Sequence, residues 1–408
     1  MRLQLGKFVC DVKFPQLSRN FGESKMALDN KKIGIITFHA SYNCGSMLQA
    51  YALQCFLENN GYRPEIIDFS SEGQRRLYSI YSKNNTVKNI VRNAIFWCHR
   101  KRIGTNFKSY ENFKQKYFNL TSYNATYQSQ IIDDYVAVVA GADQIWNITI
   151  SDYDDSYFLP WVKKAKRIAY APSFGAKNIL EHTDDATKYK RFLNEFEYLS
   201  IRENNGKRWI YDLIGKDIPV VLDPTLIVEK SDYDKITSSK LILPEKYIFY
   251  YSPTYSLKHN FLVRKISKKY KLPVIAFNSK SFYLRGMNFQ SFDLPEFEDP
   301  TAYLQLMKNA TMVVTTSFHG SVFSTVFNRR FWVIKNGGMY GNDDRVITLL
   351  RTMGLEKRLV SEMFDENFDY MMDVDYNDVE YKSGLDNAKL ISKTYLLSAL
   401  ESCNEANK

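Results

Sequence analysis

Residues Thr311 to Ile334 read T-M-V-V-T-T-S-F-H-G-S-V-F-S-T-V-F-N-R-R-F-W-V-I, and the polar turn at their centre holds the residue types that acid/base and anion chemistry need. Met312, Val313 and Val314 form a short apolar run, while Val322, Phe323, Val326 and Phe327 recur at helical spacing. The order is therefore strand, tight turn, helix, strand. The turn brings the His319 imidazole, the hydroxyls of Ser317 and Ser321 and the N–H groups around Gly320 to a helix N-terminus, where anions are favoured. The same serines and glycine also suit simple capping, with His319 as a satisfied turn residue. This stretch alone does not choose between the two.

Other strand ends carry comparable groups. In K-K-I-G-I-I-T-F-H-A-S-Y-N-C-G-S-M-L-Q-A-Y, Ile33, Ile35 and Ile36 predict a buried strand. Asn43 or Ser46 can cap a helix bearing Met47, Leu48, Tyr51 and Leu57, and Gly61 stops it. A strand over Glu65 to Phe69 then completes a βαβ unit. His39, Asn43 and Gln49 thus belong to the carboxyl end of a first strand, where open α/β sheets bind ligands, and are candidate acceptor-binding residues. For Asn43, capping is the competing role. Cys44 has no neighbour that marks it as a thiolate.

The apolar run Tyr135 to Ala140 leads into G-A-D-Q-I-W-N, delivering Asp143 and Gln144 to a second strand end. Asp143 is the carboxylate best suited to orient or deprotonate a hydroxyl, with a plain turn residue as the alternative. Ser173 follows in A-P-S-F-G, Arg202 ends the short strand Leu199 to Glu203, and D-P-T-L closes this half. Lys335 and Arg345 sit at corresponding ends in the second half, where a donor anion would need cations. The segment V-K-N-I-V-R-N-A-I-F-W-C-H-R-K-R, Val87 to Arg102, predicts one helix with a Trp-bearing apolar side and a basic end. It suits either an anionic membrane surface or packing on the body of the protein.

These tips need a scaffold of alternating strands and helices. At 408 residues the chain exceeds one ordinary core, and its 45% apolar and 25% charged residues are those of a soluble globular protein. The alternation predicts an α/β fold of two Rossmann-like domains facing a central cleft: residues 31–222 on the acceptor side and residues 223–380 on the donor side. Residues 381–408 form a C-terminal helix. Residues 1–30, which lack a clear period, are set apart as an N-terminal extension.

The formal charge of +10 favours an acidic partner, but no nucleic-acid motif appears. Five cysteines without a C-x-x-C pair suit a reducing cytosol, and no apolar run approaches the ~18 residues of a membrane span. A cytoplasmic protein, peripheral at most to the inner face of the membrane, is expected. No His/Cys cluster has ligand spacing, so no structural metal is expected.

Taken in order, I-G-I-I-T-F-H with N-C-G-S-M-L-Q-A-Y-A-L, V-A-G-A-D-Q-I-W-N, A-P-S-F-G, S-I-R-E-N-N-G, L-D-P-T-L, T-T-S-F-H-G-S-V-F-S and D-D-R resemble the polysaccharide pyruvyl transferase family, covering about Lys31 to Arg358. The resemblance implies a fold like the B-type glycosyltransferases with phosphoenolpyruvate in the cleft. It also implies transfer of pyruvate as a ketal onto a sugar of a cell-surface polysaccharide or its lipid-linked precursor, with phosphoenolpyruvate as donor and no cofactor. The family's first-domain Arg matches Arg202, and the His of its second-domain Arg-x-His pair matches His319. Ser317 stands where the pair's Arg would be.

Ketal formation must protonate the methylene carbon of the donor, expose an oxocarbenium-like carbon to hydroxyls and expel phosphate. An imidazole and fixed cations suit it. On this basis His319 and Asp143 are the candidate catalytic residues. Arg202, Ser317, Gly320, Ser321, Arg345 and Lys335 are candidates for the donor, and His39, Asn43, Gln49, Gln144 and Ser173 for the acceptor. A nucleotide-sugar glycosyltransferase, or a non-catalytic sugar-binding protein lacking the Arg at Ser317, would share the fold.

Overall fold

The computed structural model describes residues 31–335 and 344–405. Its first sheet is parallel throughout, in the order β2 (Arg63–Ile66), β1 (Lys32–Ile36), β3 (Ala137–Ala140) and β4 (Lys166–Ala169). Single bridges Ile168 to Tyr198 and Ile201 to Val220 continue it in the same sense. The second sheet, also parallel, runs β6 (Val274–Ala276), β5 (Ile248–Tyr251), β7 (Met312–Thr315), β8 (Phe331–Ile334) and β9 (Leu359–Val360). Strands such as A-V-V-A, I-F-Y-Y and F-W-V-I are buried residue by residue, because helices cover both faces and no alternation is required.

Helix α1 (Cys44–Asn59) explains how the two sheets join. Every residue from Cys44 to Leu57 is buried, with the first sheet on one side and the second half on the other. One apolar core accordingly runs from Ile33 and Ile35 through Met47 and Leu53 to Phe249, Tyr303 and Phe323. Such a helix is apolar around most of its circumference rather than on one stripe.

The Val87 to Arg102 helix is in fact two. Helix α2 (Val87–Cys98) stops at His99, and α3 (Arg100–Tyr117) begins there. The sequence concealed α3 because only Ile103, Asn106, Tyr110 and Phe113 of its polar length are buried. Further on, α4 (Pro300–Asn309) starts at the Asp299 cap, α5 (Phe318–Val326) follows β7, and α6 (Asp344–Thr352) precedes β9. The long α7 (Val379–Glu405) returns to the first sheet, where the Ser392 hydroxyl accepts from the Leu222 N–H at 2.8 Å and the Tyr395 hydroxyl donates to the Ala169 carbonyl at 3.0 Å.

Candidate functional site

The register fixes what meets at the seam. β3 ends at Ala140, just before Asp143, and the Ile201–Val220 bridge puts Arg202 and Asp223 just beyond adjacent extended segments. All three therefore lie at the carboxyl edge of the first sheet. His319 lies at the corresponding edge of the second, because β7 ends at Thr315 and α5 begins at Phe318.

Asp223 is the hub. Its Oδ2 accepts from Arg202 Nη1 at 2.5 Å and stands 3.5 Å from His319 Nε2, while its Oδ1 accepts from the N–H and hydroxyl of Thr225 at 3.1 and 2.6 Å. Burial works against its charge, but His319, Arg202 and the Thr225 hydroxyl outweigh burial and hold its carboxyl well below the usual range. The Arg202 guanidinium lies 3.6 Å from Asp143 Oδ1 and 4.5 Å above the Phe318 ring, so both halves grip it. Even so, Arg202 Nε and Nη2 and His319 Nε2 are buried without a hydrogen-bond partner among the described residues. Such atoms cost free energy unless a ligand completes them.

Asp143 takes a left-handed backbone, φ 69°, and accepts from the Ser46 hydroxyl at 2.5 Å and the Gln144 N–H at 2.8 Å. Ser46 belongs to the first turn of α1, as does Gly45. A Cβ on Gly45 would fall 2.2 Å from His319 Nδ1. The imidazole of the second half is thus laid directly against the first turn of a helix from the first half.

Glu203, beside Arg202, is fully buried. Its Oε1 accepts from the Ser173 hydroxyl at 3.0 Å and the Phe174 N–H at 2.8 Å, whereas its Oε2 has no partner among the described residues. Burial pushes this carboxyl up to about 7, against the pull of Arg202 and Arg345. Arg345, on the first turn of α6, is itself buried. It lines a small pocket together with Arg202, Asp223, Phe318 and Thr348.

The other sequence candidates are arranged differently. Both His39 ring nitrogens are engaged, Nδ1 with the Thr37 carbonyl at 3.2 Å and Nε2 with Asp68 Oδ1 at 2.9 Å. Asn43 caps α1 through Oδ1 and also receives the Tyr251 hydroxyl at 3.4 Å. Gln49 donates to the Thr37 hydroxyl and the Ser46 carbonyl and accepts from the Ala142 N–H at 3.0 Å, bracing the loop that carries Asp143. Gln144 receives the Asn147 amide at 3.2 Å, and Ser173 serves Glu203.

In the His319 turn, Ser317 is the N-cap residue without a side-chain cap bond, and a Cβ on Gly320 would strike Thr315 Oγ1 at 2.1 Å. The Ser321 hydroxyl turns back to the Ser317 carbonyl at 3.2 Å. Gly320 therefore lets the helix lie against its strand, while the Ser321 hydroxyl is spent within the helix's first turn. Lys335 is exposed at the end of β8. Asp343, two positions before Arg345, lies outside the described residues. Sequence reasoning missed Asp223, Glu203 and Phe318. The signal for Asp223 was a carboxylate followed by Pro at a strand end, read there only as a boundary.

The fold and seam define an α/β protein whose two parallel sheets turn their carboxyl edges on a shared, charged pocket. The family profile of polysaccharide pyruvyl transferase matches residues 43–338, most of the chain, and the chain belongs to that family. No curated protein matches it. Among solved structures it is similar to UDP-N-acetylglucosamine 2-epimerase from Rickettsia bellii, with 14% identity and a TM-score of 0.44 over 91% of this chain and 97% of that one. It is also similar to the E. coli ADP-heptose LPS heptosyltransferase II, with 11% identity and a TM-score of 0.37 over 89% and 99%.

Proposed function

We propose that the protein transfers pyruvate from phosphoenolpyruvate, as a ketal, onto two hydroxyls of a sugar in a cell-surface polysaccharide or its lipid-linked precursor, on the cytoplasmic side of the membrane. One observation carries this reading. Two buried arginines, Arg202 and Arg345, line a single pocket beside Asp223 and Phe318, and Arg202 Nε and Nη2, together with His319 Nε2 next to Asp223, have no hydrogen-bond partner among the described residues. An anion with a carboxylate and a phosphate needs such a pair of cations, each charge-assisted contact contributing about 1.5–3 kcal/mol. Arg345 then supplies the charge absent at Ser317, and exposed Lys335 is the weaker source.

In this scheme His319 delivers a proton to the methylene carbon, and its imidazolium is stabilised by Asp223 at 3.5 Å. The first sugar hydroxyl adds to the adjacent carbon and gives up its proton towards Asp143, which Ser46 and Gln49 hold in place. The carbon–oxygen bond to phosphate breaks, phosphate leaves with its bonding pair and takes up the proton passed to Asp143, and the second hydroxyl closes the ketal. His319 takes back the last proton.

Calorimetry with phosphoenolpyruvate, paired with phosphate release in the presence of candidate acceptors, tests the proposal. Binding of phosphoenolpyruvate in preference to nucleotide sugars is expected, weakened about ten-fold or more by Arg345→Gln. Stabilisation by a nucleotide sugar alone would replace this reading with glycosyl transfer, and an unchanged affinity in the variant would remove Arg345 from the donor site.

A further inference from the structure

Helix α2 (Val87–Cys98) is built inside out. At 100° per residue, Val87, Ile90, Val91, Ala94, Trp97 and Cys98 fall within an arc of about 120°, and all six are exposed. Val87 is 78%, Ile90 52%, Val91 54% and Trp97 59% exposed. The opposite side rests on the protein through Phe96, which is fully buried with the Arg92 guanidinium over its ring. A helix on a globular surface normally shows water its polar side.

The helix is firmly seated. The His99 ring stacks on Tyr283 with centroids 3.5 Å apart, and Lys280 donates to the Ser79 carbonyl at 2.9 Å. Its apolar face is thus presented by a rigid support that belongs to the second half.

The charge around this face is one-sided. Between Gly73 and Tyr110 the chain has nine Lys and Arg residues and neither Asp nor Glu. Lys83, Lys88, Arg100 and Lys101, next to or within the helix, are all exposed. An apolar strip bordered by cations that form no ion pair among the described residues, with a tryptophan at its edge, complements the headgroup region of an anionic bilayer, where the strip enters the acyl boundary and the cations meet lipid phosphate. No helix among the described residues is long and apolar enough to cross a membrane, so the contact is peripheral.

We propose that α2 and its flanking cations dock this protein on an anionic membrane surface. This is independent of the pyruvyl-transfer reading, because neither the surface nor its test involves the Arg202 pocket.

The test is co-sedimentation of the full chain with vesicles of mixed phosphatidylglycerol and phosphatidylcholine, and with phosphatidylcholine alone, followed also by tryptophan emission. Trp146, Trp161, Trp209 and Trp332 are buried, so a blue shift on lipid addition reports Trp97. Binding to the anionic vesicles at least ten-fold tighter than to the neutral ones is expected, with a blue shift. Val87→Ser/Ile90→Ser, which alters only exposed side chains, should weaken that binding at least ten-fold and abolish the shift. Lys88→Glu/Lys101→Glu should erase the preference for the anionic lipid. The proposal is overturned if neither vesicle is bound, or if the serine variant binds as well as the parent. It is overturned equally if the face proves to join two copies of the chain, seen as a concentration-dependent dimer that the serine variant abolishes without any vesicle binding.

Discussion

The loop edge after β1 and the seam around Asp223 are alike in polarity and burial, yet their hydrogen bonds end differently. After β1 the candidate residues are engaged, with Gln74 Oε1, on the side chain that reaches Ser41, as the one leftover atom among the described residues: His39 spends both ring nitrogens, Gln49 spends its amide on three partners, and Asn43 caps a helix. At the seam, His319 Nε2, Arg202 Nε and Nη2 and Glu203 Oε2 are left over among the described residues. Burying an unbonded polar atom costs about 1–3 kcal/mol, so a fold tolerates several together only where a ligand repays them. A closed network is scaffold and an open one is a binding site. The difference lies in the leftover atoms rather than in the residue types.

That distinction bounds what the sequence could reveal. Parallel strands, their polar tips and the strand–turn–helix around His319 are local patterns, and each could be read from a window of a dozen residues. Whether a tip is satisfied depends on distant partners. His39 is closed by Asp68, and Gln49 by Ala142 across 93 residues. His39 and His319 therefore look equivalent in sequence, and so do Gln49 and Arg202. Asp223 was hidden for a related reason: D-P-T-L is a good turn signal, and its carboxylate gains meaning only when the second half brings His319 to it. Helix α1 concealed the seam in the same way, since its all-round burial follows from contact with a second half that its own sequence does not specify.

The largest test of the comparison sets the two histidines against each other. His319→Ala is expected to lower pyruvyl transfer by about two to four decades with the fold intact, as for loss of an acid/base group. His39→Ala should act chiefly on stability. It leaves Asp68, whose carboxyl is held down at about 2 by His39 and Asn124 although burial pulls it up, without its main partner. Turnover assays beside melting curves would show the split. Near-normal turnover of the His319 variant would dissolve the distinction between closed and open networks.

A smaller effect is expected from Gly45, a residue of the closed edge that touches the open one. In Gly45→Ala the new methyl would sit 2.2 Å from His319 Nδ1, so the imidazole or the start of α1 must move. A displacement near 1 Å in a reacting group can cost about a hundred-fold. A ten- to hundred-fold fall in kcat is expected, with KM for phosphoenolpyruvate changed only a few-fold. An unaltered kcat would show that the contact between Gly45 and His319 does not position the ring.

The subtlest effect concerns Glu203, whose Oε2 has no partner among the described residues. Burial pushes its carboxyl from 4.5 up to about 7, with Arg202, Arg345, the Phe174 N–H and the Ser173 hydroxyl pulling the other way. The folded chain therefore holds this proton over a range where the unfolded chain has released it. The stability that Glu203 contributes is fully present below about 4.5 and is lost as pH rises through about 7. At about 1.4 kcal/mol per unit the whole swing is on the order of 3 kcal/mol, which in a chain of this length moves the melting temperature by only a few degrees. Gln cannot titrate, so Glu203→Gln should flatten that part of the melting profile between pH 5 and 8. Arg345→Gln should move it to higher pH, because a cation that favours the carboxylate has gone. An anion bound between Arg202 and Arg345 would act in the same direction as that second substitution. Its charge opposes ionisation of Glu203, so binding near neutral pH should take up a proton, seen as a calorimetric heat that varies with the ionisation enthalpy of the buffer. If the parent and the Gln variant instead melt in parallel across this range, Glu203 is not a titrating member of the seam, and its free oxygen belongs with the scaffold.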